Sequence, residues 1–217
     1  TERERMNMIR IFGKETKAAI LVSGNDKGIL RVASALAEDI REVTGCHVKS
    51  SRVVRMLDTG NGTADGCGLI VAAGIWDEPG YYGLCENEGV SIPEEIKTGR
   101  EQFAIDYREA EGRLTVFVSG SDKLGAEYGL LYISELFGVS PWHYFGDAVI
   151  EKKEIVEAGE DQLKLVSGRP SVEYRGFFLN DEWPSLGSWV TNTFGDFNED
   201  FYEKVFDLLL KIGRAHV

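Results

Sequence analysis

The sequence has no apolar run long enough to cross a membrane, and it has no excess of positive charge. Its longer apolar runs, such as residues 114–118 and 208–210, are far shorter than the roughly 20 residues that a membrane-spanning helix needs. Lys and Arg number 24 against 36 Asp and Glu, which gives a formal net charge of -12. Nucleic acids and anionic membranes attract clustered positive charge, so neither is an expected partner.

Cysteine and proline are also scarce, with 3 and 5 residues, whereas glycine is plentiful at 25. The three cysteines are widely spaced and odd in number, which fits neither a disulfide framework nor a zinc site, so we expect free thiols and no metal. The phosphate-binding patterns GxGxxG and GxxxxGK[ST] are both missing, so no nucleotide or other cofactor is predicted. The chain begins with Thr1 and shows no signal-peptide pattern, so localisation stays open between cytoplasmic and secreted or periplasmic.

Short apolar runs alternate with amphipathic segments, which is typical of an α/β protein. Strands are predicted at residues 18–23, 48–54 and 69–73, and the first is followed by a helix that begins at Asn25 or Asp26 and ends at Gly45. Glycine and proline in residues 74–99 favour short helical pieces and loops. Residues 103–107 and 113–118 predict an antiparallel hairpin with a turn at Glu111 and Gly112, and a helix capped by Ser121 or Asp122 follows to about residue 137.

These patterns predict an N-terminal mixed-sheet α/β domain over residues 1–166 and a second unit over residues 167–217. In the second unit, residues 172–179 predict a parallel strand with apolar side chains on both faces, and a helix is expected from about Asn198. The arrangement predicts the first βα unit of a (β/α)8 TIM barrel, incomplete because only about 45 residues remain where a closed barrel needs about 250. Residues 212–217 look like the translation of a sequencing adapter and are left out of the fold prediction.

Three polar residues, Asn180, Asp181 and Glu182, directly follow the predicted strand. Barrel enzymes assemble their active sites at this end of the strands, and glycoside hydrolysis uses carboxyl groups to protonate a leaving group and to activate water. The three residues are therefore candidates for substrate binding. Two alternatives stay open: the acids could instead satisfy backbone N–H groups, or they could form salt bridges with Arg175.

The aromatic residues that follow the acids admit two interpretations. Trp183 and Trp189 could stack on a sugar ring, or they could pack locally.

Several motifs resemble glycoside hydrolase family 115, the xylan α-1,2-glucuronidases. They are RGFFLNDEWPS at 175–185, FYEKVFDLLL at 201–210, and GSDK at 120–123 with YG at 128–129 and GVSPW at 138–142. The resemblance implies an inverting enzyme that releases glucuronic acid or its 4-O-methyl ether from xylan side chains, with an N-terminal α/β domain before a catalytic barrel. It also implies a pocket role for Asn180, Asp181 and Glu182, with the catalytic acid and base downstream of this chain.

Several alternatives remain at this point. Another barrel glycosidase with a similar N-terminal domain, of family 67 or family 20, would share these features, and so would a non-catalytic α/β carbohydrate-binding module. In each case the expected partner is a polysaccharide or oligosaccharide, here glucuronoxylan. A homodimer of the full-length protein stays open. The 217-residue chain by itself is expected to have little or no activity.

Overall fold

A computed structural model of the protein describes residues 8–46, 48, 54–55 and 66–213. Its strands are β1 (Met8–Phe12), β2 (Ala18–Val22), β3 (Val54–Arg55), β4 (Leu69–Ile75), β5 (Phe103–Ala110), β6 (Arg113–Gly120), β7 (Val156–Gly159) and β8 (Leu165–Val166). Its helices are α1 (Lys27–Thr44), α2 (Pro79–Asn87), α3 (Glu94–Thr98), α4 (Lys123–Phe137), α5 (Glu160–Leu163), α6 (Ser185–Phe194) and α7 (Glu199–Ile212).

The larger sheet of the described residues is mixed, as predicted. Its six strands follow the order β3-β2-β4-β6-β5-β8. Strands β3, β2, β4 and β6 run parallel, while β5 pairs antiparallel with both β6 and β8. Strands β1 and β7 form a separate antiparallel pair, which the sequence analysis did not predict.

The sheet has a hydrophobic cluster on each face, and alternate residues along its strands belong to different clusters. Ile20 and Val71 belong to the hydrophobic cluster that α1 and α4 cover, whereas Leu21 and Ala72 belong to the cluster under α2 and α3. Successive side chains of a strand point to opposite faces, so a strand that is apolar throughout is covered on both sides. The predicted α/β class and the short helical pieces between residues 74 and 99 are therefore confirmed.

Local capping explains why the long helices begin and end where they do. Asp26 Oδ1 accepts hydrogen bonds from the backbone N–H groups of Gly28 and Ile29 at 2.8 and 3.2 Å, and Gly45 ends α1 with a left-handed φ of 71°. The hairpin between β5 and β6 turns at Glu111 and Gly112, whose φ values of 53° and 73° suit a two-residue turn of the I′ type. These predictions are confirmed.

Two predicted segments fall partly outside the described residues. Of the predicted strand 48–54, residues 49–53 lie outside them, and the structure has β3 at Val54–Arg55. Of residues 212–217, residues 214–217 also lie outside, and Ile212 is the last residue of α7.

Candidate functional site

The segment before the candidate acids differs from its prediction. Residues 172–179 form no strand in the structure, and they are not buried on both faces: the side chains of Tyr174 and Phe178 are 88% and 89% exposed. A parallel strand needs hydrogen-bonding neighbours, and in the described part of the chain none lies beside this segment. The described structure thus lacks the strand predicted for residues 172–179, and it has no neighbouring strand that would bury the apolar side chains.

The segment nevertheless contacts α7. Arg175, near its beginning, donates from Nε to the carbonyl oxygen of Gly213 at the end of α7, at 2.5 Å. Leu179, near its end, packs on an aromatic cluster around Phe201, Val190 and Val205, which also contains Leu209 near the end of α7. The segment therefore packs against α7.

Asn180, Asp181 and Glu182 all lie exposed at the end of this segment. The side-chain oxygen of Asn180 accepts a hydrogen bond from the backbone N–H of Glu182 at 3.2 Å, which turns the chain after Asn180. Within the described residues, neither Asp181 nor Glu182 forms an ion pair. Arg175, the salt-bridge partner considered for them, pairs with Glu101 instead. The pocket role of the three residues stays a prediction.

The two tryptophans near the acids behave differently. Trp189 packs locally, with its ring 6.0 Å from Phe145 and 5.8 Å from Phe194 between ring centroids. Trp183 is 68% exposed, and one edge of its ring lies against Gly187. Of the two, only Trp183 presents most of its surface to solvent beside the acids.

The turns after β2 and β6 use their own acids as helix caps. Asp122 caps α4 as Asp26 caps α1, accepting from the N–H of Gly125 at 2.9 Å. Lys123 Nζ lies 3.3 Å from Asp26 Oδ1. Burial raises the pKa of the neighbouring Glu127, and the charge of Lys123 opposes that rise. With carboxylates already on the helix N–H groups, the cap interpretation fits both turns better than an anion-binding one.

A network around Arg175 was not predicted from the sequence. Its guanidinium binds the Glu101 carboxylate and donates to the Tyr128 hydroxyl at 3.2 Å and the Val172 carbonyl at 2.7 Å. The hydrogen bond to Glu101 raises the pKa of Arg175. Glu101 is nearly buried and has a positive φ of 55°, unusual for a residue other than glycine. Nothing in the local sequence around Glu101 indicates this conformation.

Two cavities in the described residues lie away from the acids. One of about 170 Å³ lies between α1 and α7 and is lined by Asp39, His143 and Lys204, among others. The other, of about 460 Å³, follows the β5 and β8 edge of the sheet beside Asp106 and Arg108. Asn180, Asp181 and Glu182 line neither cavity.

Membrane-spanning helices and metal-binding clusters are both absent from the described residues. No helix in this part of the chain has the length and apolar character needed to cross a bilayer. No group of three or more His, Cys, Asp or Glu residues there is arranged to hold a metal ion.

Comparisons with known proteins complete the description of the site. The sequence model of glycosyl hydrolase family 115 matches residues 167–216, the region that contains the candidate acids. A comparison with curated proteins gives no match. A solved structure is 28% identical with a TM-score of 0.69, and the match covers 94% of this chain and 24% of that one. It is described as a family 115 4-O-methyl-α-glucuronidase with specificity for decorated arabinogalactans. This chain, which spans about a quarter of that structure's length, is therefore related to glycoside hydrolase family 115.

Proposed function

We propose that the chain is the N-terminal part of a longer glycoside hydrolase that removes glucuronic acid, or its 4-O-methyl ether, from polysaccharide side chains. The observation that carries the proposal is the position of Asn180, Asp181 and Glu182, which lie exposed within the region matched by the family. The solved relative is itself described as a 4-O-methyl-α-glucuronidase. The chain corresponds to a quarter of that relative, and in this proposal most of the active site belongs to sequence beyond residue 217.

In this proposal, residues 172–179 and α7 are the first strand and helix of a (β/α)8 barrel, and residues 1–166 are a separate N-terminal domain. Two observations support it: the segment packs against α7, and its large apolar side chains are mostly exposed. Neighbouring barrel strands would bury Tyr174 and Phe178 and supply the backbone hydrogen bonds that the segment lacks. The acids would then lie at the carboxyl end of the strand, at the mouth of the barrel.

The chemistry assigns these residues to substrate binding. An inverting glycosidase needs two carboxyl groups roughly 6.5–9.5 Å apart with a water molecule between them, and Asp181 and Glu182 are sequence neighbours. We therefore assign them, with the Asn180 amide, to hydrogen bonds with sugar hydroxyl groups, and place the general acid and base downstream. A uronate is anionic, so the pocket also needs a cation. Arg175 is committed to Glu101, so that role falls to another residue.

The full reading frame that contains this chain provides the test. The purified protein is incubated with oligosaccharides from 4-O-methylglucuronoxylan and from glucuronic-acid-decorated arabinogalactan, and release is followed by proton NMR. We expect free glucuronic acid or its methyl ether, appearing first as the β-anomer, since inversion of an α-linkage gives that product. The two substrates distinguish the xylan specificity of the sequence resemblance from the arabinogalactan specificity described for the solved relative.

Two further outcomes limit the proposal. No release from either substrate by the full protein would overturn it. Release by the 217-residue chain alone would show that the catalytic acids lie inside it, against our placement. Light scattering of the full protein tests the separate expectation of a homodimer.

A further inference from the structure

We infer that Arg175 is a positioning residue, which aligns the segment carrying Asn180, Asp181 and Glu182 with both the α/β domain and α7. This role goes beyond the proposed function and rests on it, because alignment of the three residues matters only if they contact substrate. The anchoring itself is a property of the described structure. It can be measured without any substrate.

The contacts of Arg175 join three parts of the molecule. Its guanidinium binds Glu101 and Tyr128 in the α/β domain, and its Nε donates to the carbonyl of Gly213 after α7. It also donates to the carbonyls of Val172 and Glu173, at 2.7 and 3.3 Å, which fixes the curve of the segment itself. Only an arginine offers enough donors in one plane for such a set. The Gly213 contact is to backbone, so it does not depend on which residue stands there.

The α/β side of this anchor is rigid. Glu101 is nearly buried, and its backbone N–H donates to Asp122 Oδ2 at 2.7 Å, so it is attached to the residue that caps α4. Tyr128 belongs to α4 itself and is buried. The path from the core helix α4 to the acid-bearing segment is therefore a continuous set of charged and neutral hydrogen bonds.

Among the described residues, the far end of the segment has no polar attachment to the α/β domain. Between Gly176 and Glu182, the described side chains form no ion pair, and Leu179 packs on the aromatic cluster rather than on the sheet. A second ion pair, from Arg100 to Glu173 at 2.8 Å, lies on the near side of Arg175, and both of its partners are more exposed. Arg175 is thus the last polar anchor before the acids.

NMR order parameters of the 217-residue chain test the inference. In the unsubstituted chain we expect backbone values near 0.85 for β4 and β6 and only slightly lower values for residues 176–182. Arg175→Met keeps the aliphatic stem but loses all five donors, and it should lower residues 176–182 below about 0.6 while the strands stay unchanged. Arg175→Lys keeps a positive charge beside Glu101 but loses the planar set of guanidinium donors, so it should preserve the order parameters in part.

Arg31→Met is the matched control. Arg31 joins α1 to α7 through Glu203 and Asp207 at 2.9 and 2.7 Å, so its loss also removes an ion-paired guanidinium between the two parts of the chain. It should leave residues 176–182 unchanged. If Arg175→Met does not fold, Glu101→Gln and Tyr128→Phe remove its partners one at a time and should each lower the same order parameters by less.

Three results would overturn the inference: unchanged order in Arg175→Met, equal loss in Arg31→Met, or values already below about 0.6 in the unsubstituted chain. None of these results depends on hydrolysis. The positioning role of Arg175 could therefore be refuted while the full protein still releases glucuronic acid, and the role could hold if the full protein released none.

Discussion

Replacement of Phe201 by Ala should unfold α6 and α7 without unfolding the sheet. Phe201 is 1% exposed, and its ring centroid lies 5.0–5.7 Å from those of Tyr202, Phe197 and Phe194. Truncation of a buried Phe costs about 3–5 kcal/mol, part of it for the cavity that is left. In the described residues the aromatic cluster has two other buried members, Val190 and Val205, and a core of this size cannot absorb that loss.

Amide hydrogen exchange measured by mass spectrometry reports on each helix and strand separately. In Phe201→Ala we expect α6 and α7 to lose protection, while β4 and β6 keep theirs. Phe206→Ala is the matched control: Phe206 is on the same helix but 56% exposed, so its loss should cost about 1 kcal/mol or less. Unchanged exchange in α6 and α7, or an equal loss of protection in the sheet, would refute the expectation that these helices unfold while the sheet stays folded.

Three further predictions concern the α/β domain. Gly125→Ala should lower the free energy of unfolding by about 2 kcal/mol or more, because its Cβ would lie 2.1 Å from the backbone oxygen of Gln102. Gly83→Ala, inside helix α2 with open space for its Cβ, should instead raise the free energy of unfolding by up to about 1 kcal/mol, and thermal denaturation compares the two. Burial raises the pKa of Glu127 above its usual 4.5, so the unsubstituted chain loses stability as the pH rises from about that value. Glu127→Gln does not titrate there and should gain stability relative to the unsubstituted chain. Urea midpoints of both proteins at pH 4 and 7.5 measure the difference. Burial raises the pKa of Cys85 to about 11, so alkylation at pH 8 should be slow in the folded chain and fast in urea; fast labelling of the native protein would contradict this.

Much of the α/β domain could be predicted because its signals are local. Asp26 and Gly45 bound α1 through capping that depends only on the adjacent backbone. The Glu111 and Gly112 turn specified its hairpin in the same way. Apolar strands such as Leu69–Ile75 identified a sheet covered on both faces.

Long-range pairing and weakly marked helices were missed. Strand β1 pairs with β7, at the opposite end of the domain sequence, and alternation alone does not identify such a partner. Helix α6 was not predicted from the sequence, although Pro184 before it and Gly195 after it are recognisable boundary signals.

The sequence identified the residues of the candidate site but not the structure that surrounds them. An apolar segment ending in Asn180, Asp181 and Glu182 indicates a strand, yet whether it is buried depends on strands that the sequence of this segment does not contain. The Arg175 network was missed because Glu101 is distant in sequence and becomes its partner only through the fold.

We propose that Asp181 and Glu182 contact the sugar, and a comparison of kcat/KM of the full protein with that of Asp181→Asn and Glu182→Gln tests this contact. Loss of a charged hydrogen bond to substrate should lower kcat/KM by roughly 10- to 100-fold in each. The melting temperature should not change, since both side chains are exposed, and Glu151→Gln, an exposed acid outside the family match, should keep full activity. Full activity in both substituted proteins would contradict the claim.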